Sequence, residues 1–246
     1  MTISEGEHRG RGEGVPYQRY GESLEAVVGQ IESIREAIEA GIDRFALLSL
    51  LPPGSARNAV DCALWDLEAK RTGRRAWEIA GLEAPDSLLT AYTLSLDTAD
   101  NMARAAAAAA DRPLLKLKLT GEGDIERVEA VRRAAPTAQL IVDANEAWQP
   151  DMLPGHGAAM RELGVDLIEQ PLPADNDGQL AEVTHPVPIC ADESCHVAED
   201  VAALVDRYDV VNVKLDKAGG LTAALTLAAA AETAGKEANP RANSWR

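Results

Sequence analysis

From residue 114 onward the chain repeats one unit, a short apolar run followed by an amphipathic stretch. "LLKLKL" precedes "DIERVEAVRRAA", "QLIVDAN" precedes "DMLPGHGAAMREL", and "DLIEQPL" follows; then come "VPICADES" with "EDVAALVDR" and "VVNVKLDK" with "LTAALTLAAAAETAG". This alternation predicts parallel strands joined by helical crossovers, and eight such units close into a barrel. Each apolar run also carries an ionizable residue near its C-terminal end. These residues are Lys118, Asp143, Glu169, Asp192 and Lys214, at intervals of 25, 26, 23 and 22 residues. In a parallel barrel such strand ends form the mouth where catalytic side chains gather.

Taken singly, each of these residues has an ordinary explanation. Asp143 in "VDANEAW" suits a turn or cap, Glu169 in "EQP" a solvated strand end, and Asp192 in "ADES" a helix N-cap. Alternation along "LLKLKL" puts Lys116 and Lys118 on one face and Leu115, Leu117 and Leu119 on the other. Alone, that pattern suits an edge strand protected by its charges. Together the residues point elsewhere, because three carboxylates on successive parallel strands would repel one another or take up protons unless a cation sat among them. Hard oxygen ligands suit magnesium better than zinc. The four histidines, His8, His156, His185 and His196, show no HExxH spacing and are expected to be structural or on the surface. Lys118 lies one strand before the carboxylates and Lys214 one strand after them, which in a closed ring sets two ammonium groups across the metal. A lysine depressed by nearby cations can serve as a base and return the proton as an acid. Lys118 is then an acid/base group supported by the positive charge of Lys116.

The first third reads as helical after a polar, glycine-rich start. "ESLEAVVGQIESIREAIEAG" predicts one helix ending at Gly41, and "GSARNAVDCALWDLEAKRTG" a second, with Ser55 as N-cap and Gly73 as terminator. Leu89 to Leu96 reads as a strand and "NMARAAAAAADR" as a helix. A chain of 246 residues with 46% hydrophobic content can bury a large core. Its net charge of -16 argues against nucleic acid or anionic membranes as partners and for small molecules. Cys62, Cys190 and Cys195 form no CxxC pair, the N-terminus has no signal-like apolar core, and no apolar run is long enough to span a bilayer. A cytoplasmic protein is expected.

"KLKL", "VDANEAW", "IEQP", "ADES" and "NVKLDKAGG", in this order and spacing, resemble the enolase superfamily, muconate-lactonizing branch, and most of all its dipeptide epimerases. The resemblance covers roughly residues 10 to 235. It implies a capping domain over a modified barrel, Asp143, Glu169 and Asp192 as Mg2+ ligands, and Lys118 and Lys214 as bases on opposite faces of the substrate. The implied reaction is a 1,1-proton transfer at the alpha carbon of the C-terminal residue of an Ala-Glu-type dipeptide through an enediolate, chemistry known for that superfamily. N-acylamino acid racemases, cycloisomerases and succinylbenzoate synthases of the same branch use much the same motifs. The family pattern also includes a capping sheet ahead of "HRGRGEG" and, after the sixth barrel strand, further strands with an Asp-x-Asp segment for the dipeptide ammonium, and this sequence matches neither. The expected architecture is therefore α/β, truncated at both ends: a partial, helical capping domain (1–87), an incomplete TIM-like barrel of about six strand-helix units (88–235), and an atypical polar tail (236–246). Open edges at "VVNVKL" and "LLTAYTLS" predict association into a homo-oligomer or instability. A catalytically silent fragment or binding protein is the competing class of function.

Overall fold

The computed structural model of the chain describes residues 1–238. In chain order the elements are strands β1 (Thr2–Glu5) and β2 (His8–Arg11), then helices α1 (Leu24–Ser33), α2 (Arg35–Glu39), α3 (Arg44–Leu50), α4 (Ser55–Thr72) and α5 (Ala76–Ile79). They continue with β3 (Tyr92–Leu94), α6 (Ala99–Ala108), β4 (Leu114–Lys118), α7 (Asp124–Ala134), β5 (Gln139–Asp143), α8 (Leu153–Glu162), β6 (Val165–Glu169) and β7 (Ile189–Ala191). The last are α9 (Val201–Leu204), β8 (Val210–Val211), α10 (Leu215–Ala218), α11 (Leu221–Thr233) and β9 (Glu237–Ala238). The chain divides into two compact units. One comprises Met1–Asp86, His196–Glu199 and Val213–Ala230, the other Ser87–Cys195, Asp200–Asn212 and, of the described residues, 231–238.

The first unit is built on α4. β1 and β2 form an antiparallel hairpin, from Thr2↔Arg11 to Glu5↔His8, turning through Gly6 at φ 58°. This corrects the expectation of a helical capping domain with no sheet ahead of "HRGRGEG". The pairing was illegible because two four-residue polar strands carry no hydrophobic alternation. The glycines of that stretch have a packing reason. A Cβ on Gly10, Gly12 or Gly14 would lie 2.0, 2.1 or 2.3 Å from the carbonyl oxygen of Ala63, Ala59 or Ser55. Glycines at strand period thus lie along successive turns of α4, where only a missing side chain allows the approach. Ile3, Val27, Ile34, Leu47, Val60 and Leu67 form the apolar core of this unit.

Three helix boundaries differ from expectation. The long first helix breaks at Ile34 (φ -108°, ψ 13°), where α1 ends and α2 restarts. Helix α3 was not predicted, yet its cap is legible afterwards: the Asp43 side chain accepts from Phe45 N at 2.9 Å and Ala46 N at 2.8 Å. Ser55 opens α4 rather than capping it, with Gly54 at the N-cap, because its hydroxyl donates to Val15 O and the Glu22 carboxylate. Gly73 ends α4 in the left-handed conformation, as expected.

The second unit holds a parallel sheet of seven strands in the order β3-β4-β5-β6-β7-β8-β9. β3 is only Tyr92–Leu94, shorter than the expected strand over Leu89 to Leu96. β4 lies inside the sheet between β3 and β5, which removes the edge-strand explanation for its lysines. β9 falls in the stretch read as an atypical tail, so the backbone of β8 is paired and the open edge expected at "VVNVKL" is corrected. A two-residue strand leaves no sequence signal. The rest of that tail lies outside the described residues. Leu114, Ile141, Leu167, Cys190 and Val210, one from each of five successive strands, pack into one apolar layer.

Candidate active site

Register places the ionizable residues one layer beyond those apolar ones. Lys118 pairs with Asp143, Asp143 with Glu169, and Glu169 with Cys190. Lys116 pairs with Ile141, so period two turns Lys116, Lys118, Asp143 and Glu169 to the face that carries the apolar layer. Glu169 reaches this level through an irregularity in β6. Leu140 pairs with Val165 but Ile141 pairs with Leu167, leaving Asp166 as an extra residue. Without that bulge Ile168 would stand beside Asp143 and Glu169 would point to the other face.

The side chains meet as the register implies. Lys118 Nζ donates to Asp143 Oδ2 at 2.6 Å and to Asn145 Oδ1 at 3.1 Å. Lys116 Nζ lies 2.6 Å from Glu169 Oε2 and 3.0 Å from Asp143 Oδ2. Glu169 Oε1 accepts from Asn212 Nδ2 at 3.0 Å. Asp143, Glu169 and Asp192 are fully buried, Lys116 nearly so, and Lys118 is the partly open member, its side chain 35% exposed. Lys116 is therefore placed less as a neighbouring charge for Lys118 than as a counter-ion between two carboxylates. Its own burial acts to lower its pKa, but Glu169 and Asp143 outweigh that and raise it. Glu169 is pushed up to about 7, first by burial and then by the charge of Asp143, with Asp192 adding to the effect against Lys116.

Asp192 follows β7, and its backbone N donates to Gln170 Oε1 at 2.8 Å. The Gln170 side chain also accepts from Ser194 N at 3.2 Å and donates to Leu172 O at 2.9 Å, tying the end of β6 to the Asp192 turn. Gln170 holds φ 37°, while Asn145 and Glu146 hold 44° and 65°. Left-handed backbone at three non-glycine residues, all just beyond strand ends, marks where the chain accepts strain to aim side chains. Asn145, Gln170 and Asn212 were not singled out from sequence, although each is a polar residue just past an apolar run. Lys214 belongs to the other compact unit, as the half-buried N-cap of α10 with extended backbone.

The residues suit a magnesium ion in donor chemistry, being all hard oxygens, and in charge, since the buried acids outnumber the lysine that neutralises them. Among the described residues no three His, Cys, Asp or Glu side chains stand gathered around one point, and Lys116 draws oxygens of both Asp143 and Glu169 onto its ammonium.

Residues 3–81 match the mandelate racemase/muconate lactonizing enzyme N-terminal domain, and residues 99–246 match the enolase C-terminal domain-like family. The chain is 47% identical over 229 residues to the L-Ala-D/L-Glu epimerase of Escherichia coli K12, covering 92% of this chain and 71% of that one. It is 45% identical to the N-acetyl-D-glutamate racemase of a Pseudoalteromonas species, covering 96% of this chain and 75% of the relative. Among solved structures, an enolase family member from Agrobacterium tumefaciens with bound sodium and L-Ala-L-Glu superposes with TM-score 0.93 at 52% identity, covering 96% of this chain and 72% of that one. The dipeptide epimerase of Enterococcus faecalis, complexed with Mg and L-Leu-L-Tyr, superposes with TM-score 0.86 at 32% identity over 94% of this chain and 70% of that one.

Proposed function

The chain belongs to the mandelate racemase/muconate lactonizing enzyme family of the enolase superfamily, and on that premise we propose how its residues divide the work of a magnesium-dependent dipeptide epimerase. It is an isomerase that inverts the alpha carbon of a C-terminal residue. The observation that carries the residue assignment is the shared level of Lys118, Asp143 and Glu169 on three neighbouring strands, with Lys118 bonded to Asp143.

Asp143, Glu169 and Asp192 are the residues assigned to hold magnesium. When bound, the ion supplies positive charge against the negative charge that grows on the substrate carboxylate as the alpha proton leaves. Inversion requires one proton to leave one face of that carbon and another to arrive on the opposite face, so two acid/base groups share the work. Lys118 and Lys214 take these roles, each as a neutral amine for one substrate enantiomer and as an ammonium for the other. Asp143 and Asn145 orient the Lys118 ammonium, and Lys116 keeps Asp143 and Glu169 apart from one another's charge. The chemistry is assigned to a barrel domain, 88–235, and residues 1–87 to a capping domain.

The substrate class is a glutamate acylated on nitrogen. The dipeptide of the Escherichia coli relative and the N-acetylglutamate of the Pseudoalteromonas relative share that description, differing in the acyl group. N-acylamino acid racemization is therefore the second reading. Incubation with L-Ala-L-Glu or N-acetyl-D-glutamate and magnesium, followed by chiral chromatography, separates them. Faster epimerization of the dipeptide supports the first reading, and a preference for N-acetylglutamate the second. Among the described residues no helix is long and apolar enough to cross a membrane. Three cysteines with no disulfide among the described residues suit a reducing cytoplasm, which is the proposed location.

A further inference from the structure

The segment after Lys214, "LDKAGGLT", is gripped by polar side chains from a single face of α4. Asn58 Nδ2 donates to Asp216 Oδ1 at 2.7 Å. Arg57 donates from Nη2 to Ala218 O at 2.7 Å and from Nε to Gly219 O at 3.0 Å, the last carbonyls of α10 and of the residue that ends it. Asp61 accepts from Thr222 N at 3.0 Å and Thr222 Oγ1 at 2.6 Å at the start of α11, and Trp65 Nε1 donates to that same hydroxyl at 2.9 Å. Residues 57, 58, 61 and 65 follow helical spacing and form one stripe. The glycines complete the fit: a Cβ on Gly219 would lie 2.5 Å from Arg57 Nε, and one on Gly220 2.5 Å from the Asp61 side chain.

Arg57, Asn58 and Asp61 are all buried. Apolar packing would hold α11 against α4 without the desolvation cost of two buried ionic groups, whereas three separate polar contacts fix register along the chain. Lys214 is joined to the gripped residues through its carbonyl, which accepts from Ala218 N at 2.9 Å. We propose that Arg57, Asn58 and Asp61 are positioning residues that set the placement of the Lys214 side chain through α10, making α4 part of the catalytic apparatus for one face of the substrate. This rests on the assignment of Lys214 as one of the two bases.

The test is Asn58→Ala in the full chain, with alpha-proton exchange followed by proton NMR in deuterium oxide for L-Ala-L-Glu and L-Ala-D-Glu separately. A displacement near 1 Å lowers rates by up to about a hundredfold. Exchange should fall between about tenfold and a hundredfold for the enantiomer that Lys214→Ala silences, and stay within about twofold for the other. A general loss of folding would lower both alike, so equal losses, or no loss, overturn the proposal. Lys214→Ala serves as the control: no enantiomer preference there refutes the base assignment and not the positioning. A second readout needs no turnover. Lysines are tagged by reductive 13C-methylation, with the Lys214 resonance identified by its absence in Lys214→Arg. Asn58→Ala should shift that resonance and its titration while leaving the Lys118 resonance in place. An unmoved Lys214 signal contradicts the positioning role.

Discussion

Asp143 and Glu169 stand side by side on β5 and β6 because β6 takes up Asp166 as a bulge below them instead of pairing it. Deleting Asp166 should leave an even ladder, with Val165 and Leu167 beside Leu140 and Ile141 and Glu169 still beside Asp143. The expected result is magnesium binding retained in titration calorimetry, with a circular dichroism spectrum close to that of the parent. Loss of binding would show that the bulge itself, and not the register alone, aims Glu169.

Lys116 bridges the two carboxylates from inside the sheet, nearly excluded from water. Replacing it by Met keeps the stem and removes the charge, leaving buried acids uncompensated. Urea unfolding in EDTA should show a loss of about 3 kcal/mol, the scale of a buried pair broken on one side. Magnesium should recover part of that loss. A variant as stable as the parent in EDTA would mean that the Lys116 contacts contribute little.

Asp192 is the third assigned ligand, buried at the turn after β7. Asp192→Asn keeps the shape and removes the charge, and calorimetric titration should show magnesium affinity falling by more than tenfold. Gln170→Ala, which frees the turn that Gln170 holds through Asp192 N, should weaken binding by about ten- to a hundredfold. Wild-type affinity for Asp192→Asn would sink the ligand assignment.

His185 gives a pH dependence independent of the active site. Its Nδ1 lies 2.8 Å from Asp209 Oδ2 and its Nε2 2.9 Å from Leu180 O, so acceptors face both nitrogens and the doubly protonated ring fits best. The hydrogen bond to Asp209 is the chief cause of its raised pKa. Burial acts to raise Asp209, but the bonds from His185 and Ile189 N outweigh it and lower that carboxyl. The histidine contribution is complete below about pH 6.5 and is lost as pH rises through the raised value. The aspartate contribution is complete above about pH 4 and is lost as pH falls through the lowered value. Asp209 is 43% exposed, so screening limits the pair to about 1 kcal/mol or less. The stability difference between parent and His185→Gln, from urea unfolding, should be largest near pH 5 to 6 and shrink by pH 8. A difference that grows with pH would contradict this pairing.

The parallel strands and the layer they carry were legible because apolar runs with one polar exception are rare enough to be read jointly. Lys118, Asp143 and Glu169 emerged at one level, as their spacing implied. What sequence hid was short or local. The β1–β2 hairpin and β9 are too brief for periodicity, and the break at Ile34 interrupts a pattern that continues across it. The contacts of Lys116 with Asp143 and Glu169 were not legible, since alternation gives the face of a side chain but not which oxygen it meets. The polar stripe of α4 was not singled out, because charged and amide side chains on a helix are ordinarily solvated and only tertiary contact shows Arg57, Asn58 and Asp61 buried.

The account rests on two lysines serving opposite faces, and enantiomer-resolved exchange of the alpha proton tests it most directly. Proton NMR in deuterium oxide, with magnesium and either L-Ala-L-Glu or L-Ala-D-Glu, should show Lys214→Ala losing exchange from one diastereomer and retaining it from the other. Lys118→Ala should show the reverse preference. Equal loss of exchange from both diastereomers in both variants would contradict a mechanism with one base on each face.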